Sequence, residues 1–169
     1  MSGSPFDLRP RREPTAVQFE WVFPYAPVPA GRPLPVIRVW LELPGLPPWE
    51  VPLAFDSAAD LSLVDGGWAI FRGFDPTAGA RRLEPVRGVG GTVTAYVHEV
   101  VCHLSPPGDS APQALRLTLP TAFTHPNAPP PPLNVLGREG FLDHLAVGIE
   151  GYVLPPRLYL ALRRPPRRG

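Results

Sequence analysis

Proline is the residue that most restricts the fold of this chain. It occupies 27 of the 169 positions, and glycine occupies another 16. Because proline lacks a backbone N–H and breaks helix interiors, a chain with prolines along its whole length is not expected to form long helices. Hydrophobic residues still make up 44% of the sequence, which is enough for a real core. The composition therefore predicts a folded, mainly β domain with many turns.

Alternating and apolar segments between the turns predict where the strands lie. Strands are predicted at 17–23, 36–43, 50–55, 82–86, 92–104, 114–119, 133–136, 146–149 and 157–162. A helix of about two turns is predicted within 139–145, and a shorter one near 68–71. The rest of 65–80, and all of 120–132 with its run of prolines, are predicted to be loops.

The ends of the chain differ in composition from its middle. Residues 1–15 are polar, rich in proline and arginine, and without periodicity, which predicts a flexible N-terminal arm. Residues 163–169 form a basic tail. We therefore expect one domain over 16–162 between these two segments.

The charge and the cysteine content exclude several classes of function. The net charge is +1, so no overall field attracts nucleic acid or a membrane surface. The single cysteine, Cys102, cannot form an internal disulfide and lies in an apolar run, so a buried and unreactive thiol is expected. The first residues lack the apolar stretch of a signal peptide, and no run of about 18 apolar residues occurs, so neither a signal peptide nor a membrane span is expected. We expect a cytoplasmic protein.

Motifs of other common enzyme classes are missing from the sequence. No Gly-Xaa-Ser-Xaa-Gly motif of serine hydrolases occurs, and no phosphate-binding loop ends in Lys-Ser/Thr. The four histidines are scattered, and two of them, His98 and His103, are five residues apart on one strand and so face opposite ways. We expect no metal site and no other cofactor.

An aspartate between two apolar runs is the strongest candidate for chemistry. Residues 53–64 read Leu-Ala-Phe-Asp-Ser-Ala-Ala-Asp-Leu-Ser-Leu-Val, which predicts a tight turn at Asp56 between buried strands. A carboxylate at such a place is expected to be desolvated, and it then needs partners or a function.

Two further elements follow this aspartate along the chain. Gly88, Val89, Gly90 and Gly91 form the tip of a predicted hairpin between two extended segments. Residues 134–139 read Asn-Val-Leu-Gly-Arg-Glu, an apolar strand followed by Gly-Arg. Over 36–162, the aspartate turn, the glycine-rich hairpin and the Gly-Arg element together resemble the retropepsin-like aspartic proteases.

This resemblance implies a mainly β, closed β-barrel fold with one short helix near the C-terminus. It also implies an aspartic endopeptidase that is active as a homodimer, because each chain supplies only one catalytic carboxylate, Asp56. The two Asp56 side chains would share one proton and hold the attacking water. The implied substrate is an extended peptide or protein with apolar side chains beside the cleaved bond.

The resemblance also assigns the residues next to Asp56. Ser57 would hydrogen-bond across the dimer to the other turn. Ala58 stands where the family has glycine, whose N–H approaches the carboxylate in a crowded turn. The extra methyl group is tolerated if φ is negative and costs about 1 kcal/mol or more if φ is positive.

Further positions are implied to bind substrate or to support the turn. Substrate would contact Ala59, Asp60 and the hairpin tip of Gly88, Val89, Gly90 and Gly91, which would close over the peptide as a flap. Asp60 would pair with Arg138, which follows Gly137, and so tie the turn to the C-terminal helix.

Two other interpretations remain open on the sequence alone. In one, the domain keeps this fold but is catalytically weak or inactive and serves as a dimeric peptide-binding module. In the other, the chain is a small all-β interaction domain of unrelated fold, in which Asp56 is exposed and Arg138 does not lie near Asp60.

Overall fold

A computed structural model describes residues 21–27, 31–88, 91–104, 115–151 and 156–162. The predicted N-terminal arm, the basic tail, residues 17–20 of the first predicted strand and the hairpin residues Val89 and Gly90 lie outside this part of the chain. The described residues form a mainly β structure, as predicted.

Ten strands and two short helices are present in the described residues. The strands are β1 (Trp21–Pro24), β2 (Val36–Glu42), β3 (Trp49–Phe55), β4 (Ser62–Val64), β5 (Arg82–Gly88), β6 (Gly91–Leu104), β7 (Leu115–Thr124), β8 (Val135–Leu136), β9 (Leu145–Glu150) and β10 (Arg157–Leu162). The helices are α1 (Gly66–Phe71) and α2 (Phe141–His144). The sequence predicted one helix near the C-terminus and a second short one near 68–71.

Seven strands form one sheet in the order β2-β3-β8-β4-β7-β6-β5, and an additional β2–β6 pairing joins the two sides of this sheet into a ring. The long strand β6 makes the closure possible. It pairs with β7 along one side, from Ala95 to Leu104, and on the other side first with β5 and then with β2.

Strand β7 is longer than its sequence pattern predicts. Residues 120–132 were expected to be a loop, but β7 continues through Thr124. The reason is burial on both faces: residues 119–124 are all buried, so the apolar–polar alternation that reveals a half-exposed strand is lost. Pro120 is accommodated within the strand, opposite Glu99 of β6.

The remaining strands form a three-stranded antiparallel sheet in the order β1-β10-β9. Trp21 lies opposite Leu160 in the β1–β10 pair, and Leu160 lies opposite Val147 in the β10–β9 pair. We call this the terminal sheet. Its strand β10 is therefore hydrogen-bonded on both sides by its own chain.

One large hydrophobic cluster joins the two sheets. Val39 and Leu53 from the ring pack in the same cluster of buried residues as Leu145, Leu158 and Leu160 from the terminal sheet. Helix α1 joins this core through Trp68, whose ring stacks on Trp49 of β3 with centroids 4.7 Å apart.

No helix in the described part of the chain has both the length and the apolar character needed to cross a bilayer.

Replacing Leu160 with alanine tests whether the terminal sheet is part of the core. The Leu160 side chain is fully buried, so Leu160→Ala is expected to lower the free energy of unfolding by about 2–5 kcal/mol. The matched control is Leu162→Ala on the same strand, where the side chain is 42% exposed and the expected loss stays within about 0.5 kcal/mol. Urea denaturation measures both. Equal losses would mean that the terminal sheet does not pack on the ring.

Candidate active site

The candidate site is the turn that links β3 to β4. Strand β3 ends at Phe55 and β4 begins at Ser62, and the ends of both strands are buried. Asp56, Ser57 and Ala58 themselves are exposed in the single chain. The expectation that Asp56 would be desolvated is therefore wrong for one chain alone, because the strands carry the turn to the surface of the domain.

Hydrogen bonds within the turn fix the Asp56 carboxylate. The backbone N–H of Ala58 donates to Asp56 Oδ1 at 2.8 Å, and that of Ala59 donates to the Asp56 carbonyl at 3.2 Å. This local arrangement is one that aspartate forms readily at turns. One carboxylate oxygen is thus held by the backbone two residues further along.

Ala58 adopts a conformation that an L-residue tolerates. Within the described ranges, no residue other than glycine has a positive φ. The methyl group at Ala58 therefore carries no left-handed backbone strain. The backbone N–H of Ala58 approaches the Asp56 carboxylate, which is the contact that was expected of a glycine at this position.

Strand β8 lies between the two strands that carry the turn. It runs parallel to β3, with Phe55 opposite Leu136, and antiparallel to β4, with Leu63 opposite Val135. The Leu136 carbonyl accepts a hydrogen bond from the Asp56 N–H at 3.1 Å. The Asp turn and the Gly-Arg element, far apart in sequence, are adjacent in the fold.

The residues after β8 bind the far side of the turn. The N–H groups of Arg138 and Glu139 donate to the carbonyls of Ala59 and Asp60 at 3.0 and 2.9 Å. In addition, the Gly137 N–H donates to Ser62 Oγ at 3.2 Å. Both ends of the turn are therefore tied to one segment of backbone.

Position 137 requires glycine because the backbone there lies against the backbone of Asp60 and Leu61. A Cβ atom added there would lie 2.3 Å from the carbonyl carbon of Leu61 and 2.8 Å from the carbonyl oxygen of Asp60. Real Cβ atoms do not approach backbone this closely, so any larger residue must push the two segments apart.

Arg138 and Asp60 form an ion pair in which the guanidinium Nη2 donates to Asp60 Oδ1. Their side chains are 51% and 76% exposed, so solvent screens the pair and its contribution to stability is small. The pair joins the turn to the segment that leads into α2. The unrelated-fold interpretation expected an exposed Asp56, which is observed, and an Arg138 far from Asp60, which is not observed.

The glycine-rich hairpin is present where the sequence predicted it. Strands β5 and β6 pair in antiparallel register down to Gly88 opposite Gly91. Two residues before Gly88, Val86 packs against a small buried cluster of Ala95, Val97 and Ala122, and Leu61 and Leu63 pack against the same cluster. The hairpin and the strand that leaves the Asp turn therefore share this cluster.

Two polar residues at the site carried no assigned role in the sequence. Ser62 is buried and accepts the Gly137 N–H, and Asn134 Oδ1 accepts the Asp65 N–H at 2.9 Å while its carbonyl accepts the Ala54 N–H at 2.9 Å. A serine inside an apolar strand is the only sequence signal for the first contact, and it does not identify the partner.

Two other kinds of chemistry, metal binding and thiol catalysis, find little support in the described residues. Among the residues that the coordinates describe, no three His, Cys, Asp or Glu side chains lie close enough to hold a metal ion. Burial raises the pKa of the Cys102 thiol to about 12, so it carries no thiolate at neutral pH.

Comparisons with known proteins gave matches among solved structures and none among sequences. No protein-family model matches the sequence, and no curated protein matches it. Among solved structures, the chain is similar to the EIAV protease complexed with the inhibitor HBY-793, with 15% identity and a TM-score of 0.42. The match covers 67% of this chain and 88% of that protease.

Substitution of Gly137 tests the contact between β8 and the turn. Gly137→Ala is expected to lower the free energy of unfolding by about 1–3 kcal/mol, because the added methyl group overlaps the Leu61 and Asp60 backbone. Gly151→Ala is the control, since nothing lies within 4 Å of a Cβ there. Chemical denaturation of both variants measures the difference. An unchanged stability for Gly137→Ala would contradict the close approach.

Proposed function

We propose that the chain is an aspartic endopeptidase that is active as a homodimer. The observation that supports this proposal is the Asp56 turn: an accessible carboxylate is fixed by the backbone, and both ends of its turn are anchored by β8 and the residues after it. The glycine-rich hairpin at β5–β6 supplies a second element for holding an extended peptide.

The proposed chemistry needs two carboxylates. Each chain brings one Asp56 at the turn, so a second copy supplies the other. Two like charges about 3 Å apart cannot both be ionised, and the pair therefore shares one proton. The ionised carboxylate takes a proton from the attacking water, and the protonated one donates to the carbonyl oxygen of the peptide. The two titrations belong to the pair rather than to either residue.

The neighbours of Asp56 hold this pair in position. The Ala58 N–H keeps one carboxylate oxygen in place, and Ser57, which is exposed on the same turn, bonds to the turn of the second copy. Asp60, paired with Arg138, and Ala59, bonded to the Arg138 N–H, hold the turn against the segment that begins at Gly137.

The substrate lies between the turn and the hairpin tip. Gly88, Val89, Gly90 and Gly91 close over it as a flap, and Ala59 and Asp60 contact it from the turn. We expect apolar side chains next to the cleaved bond, as the resemblance implies. Closure would exclude bulk water and strengthen the electrostatic interactions at the carboxylates.

Replacing Asp56 with asparagine tests the proposed reaction. Asp56→Asn removes the general base and the shared proton, so cleavage of an unfolded protein is expected to fall by about 10²–10⁴-fold or more. The assay runs from acidic to neutral pH. The matched control is Asp75→Asn in an exposed loop, where the carboxylate bonds to Thr77 and cleavage should be unchanged. Cleavage that survives Asp56→Asn would rule out this mechanism. A wild type that binds peptide without cleaving it would favour the inactive module.

Replacing Ala58 with glycine tests whether the methyl group limits catalysis. Since φ at Ala58 is not positive and its N–H already binds Asp56, Ala58→Gly is expected to leave the cleavage rate unchanged. It should lower the free energy of unfolding by about 0.4–1 kcal/mol, because glycine loses more freedom on folding. Peptidase assays and urea denaturation give the two numbers. A rate increase of about tenfold, equal to 1.4 kcal/mol of barrier, would show that the methyl group hinders the reaction.

A further inference from the structure

A groove of about 540 Å³ lies on the outer face of the ring. Its floor consists of residues that sit opposite each other on β2 and β3, Val36 with Ala54 and Arg38 with Pro52. Ile37, between the two β2 residues, belongs to the core, so the floor faces away from the core. The volume is within the range of natural ligand pockets, about 300–1,000 Å³. We call this the outer groove.

The walls of the outer groove are an indole ring and a run of prolines. Trp68 of α1 forms one part of the lining, and Pro131 and Pro132 in the segment before β8 form another. The proline rings have no rotamer freedom to lose on contact with a ligand. Apolar grooves lined by an aromatic ring are the places where polyproline II segments dock.

The floor does not favour an added β-strand. Strand β8 pairs with β3 only at Ala54 and Phe55. Pro52 is the next residue of β3 whose backbone faces this side, and it has no N–H to donate. A ligand that needs main-chain pairing is therefore disfavoured. A polyproline II segment has no such need, because it makes no internal hydrogen bonds and is recognised through side-chain contacts.

Asp65 gives the outer groove a negative charge. Its Oδ1 accepts the Gly67 N–H at 2.9 Å and so caps α1, and no described cation forms an ion pair with it. The other charged residue of the described lining, Arg38, is bonded to Glu50 at 3.1 Å, which compensates its charge. The groove therefore favours a ligand in which a cation lies beside prolines.

We propose that the outer groove binds the C-terminal tail of its own chain, residues 163–169, which lie outside the described part. The tail reads Arg-Arg-Pro-Pro-Arg-Arg-Gly. In the bound form, Pro165 and Pro166 rest against Trp68 and the prolines of the wall, and a neighbouring arginine pairs with Asp65.

The composition of the tail separates it from the other proline-rich end of the chain. The N-terminal arm contains Asp7 and Glu13 among its arginines, whereas the tail has four arginines and no acidic residue. The tail is therefore the better complement of the unpaired carboxylate in the groove.

The tail also begins at an element that adjoins the groove. Strand β10 ends at Leu162, opposite Leu145, which directly follows α2. At the start of α2, the ring of Phe141 lies 5.7 Å from that of Phe55, the neighbour of the floor residue Ala54. Seven residues in the polyproline II form span about 22 Å. Because the tail is tethered, its local concentration is on the order of millimolar, and a weak contact is enough to hold it.

Disulfide trapping on the full chain tests this placement. The test pair is Leu133→Cys, in the lining of the outer groove, with Arg167→Cys in the tail. The matched control joins Arg167→Cys with Leu46→Cys, in the lining of a second groove of about 520 Å³. Native Cys102 is 1% exposed and its thiol pKa is raised to about 12, so it does not compete.

Mild oxidation, followed by non-reducing electrophoresis and mass spectrometry of the digested protein, gives the rate of each link. A disulfide forms only where the two Cα atoms come within about 7 Å of each other. The link within one chain is expected to form at least about tenfold faster with Leu133→Cys than with Leu46→Cys. Equal rates, a faster link with Leu46→Cys, or links only between two chains would overturn the proposal.

The charge of Asp65 provides a second, independent measurement. Asp65→Asn removes the charge and keeps the cap of α1, because asparagine caps helices as well as aspartate does. It is expected to slow the Leu133→Cys link by about two- to fivefold. Asp75→Asn, where the carboxylate bonds to Thr77, is the control and should leave the rate unchanged. A rate that does not respond to Asp65→Asn would contradict the proposed pairing of the tail with this groove.

This inference stands apart from the proposed function, since neither Asp56 nor any described residue of the glycine-rich hairpin lines the outer groove. All links are measured in the Asp56→Asn background, so that cleavage of the tail by the protein itself does not remove the signal. Loss of the proposed reaction would leave the expected links in place, and absence of the links would leave the reaction in place.

Discussion

The site depends on strand β8 lying between β3 and β4. Three backbone hydrogen bonds, from Asp56 to Leu136, from Arg138 to Ala59 and from Glu139 to Asp60, hold the Asp turn at both ends. Without β8, the carboxylate would sit on an unsupported loop, and its position would vary with the loop. The close contact is possible because Gly137 has no side chain, and the buried Ser62 hydroxyl satisfies the Gly137 N–H where the backbones meet. A buried N–H without such a partner would cost about 1–3 kcal/mol.

The rigid support and the exposure of Asp56 have different consequences. Support on both sides fixes where the carboxylate points, which is what catalysis by positioned groups requires. Exposure leaves it in contact with water in the single chain, where an isolated carboxylate performs no peptide hydrolysis of the proposed kind. The Arg138–Asp60 pair is too exposed to contribute much stability, and the backbone hydrogen bonds to β8 and the residues after it carry most of the support of the turn.

Much of this arrangement was predictable from local sequence, and the rest depends on long-range contacts. The Asp turn, the hairpin ending at Gly88 and Gly91, and the helix after Arg138 follow from alternation, glycine spacing and turn chemistry. The extension of β7 to Thr124 was not predictable, because a strand buried on both faces loses its alternation. The roles of Ser62 and Asn134 were also hidden, since their partners, Gly137 and Asp65, lie 75 and 69 residues away in the chain. The exposure of Asp56 was mispredicted because burial of the flanking strands does not extend to the turn they carry.

Each chain holds one Asp56, and the proposed reaction needs two. The support that β8 gives to the Asp turn is complete within one chain, so a contact between copies has only to bring two finished turns together. The proposed enzyme would therefore gain and lose its active site with protein concentration.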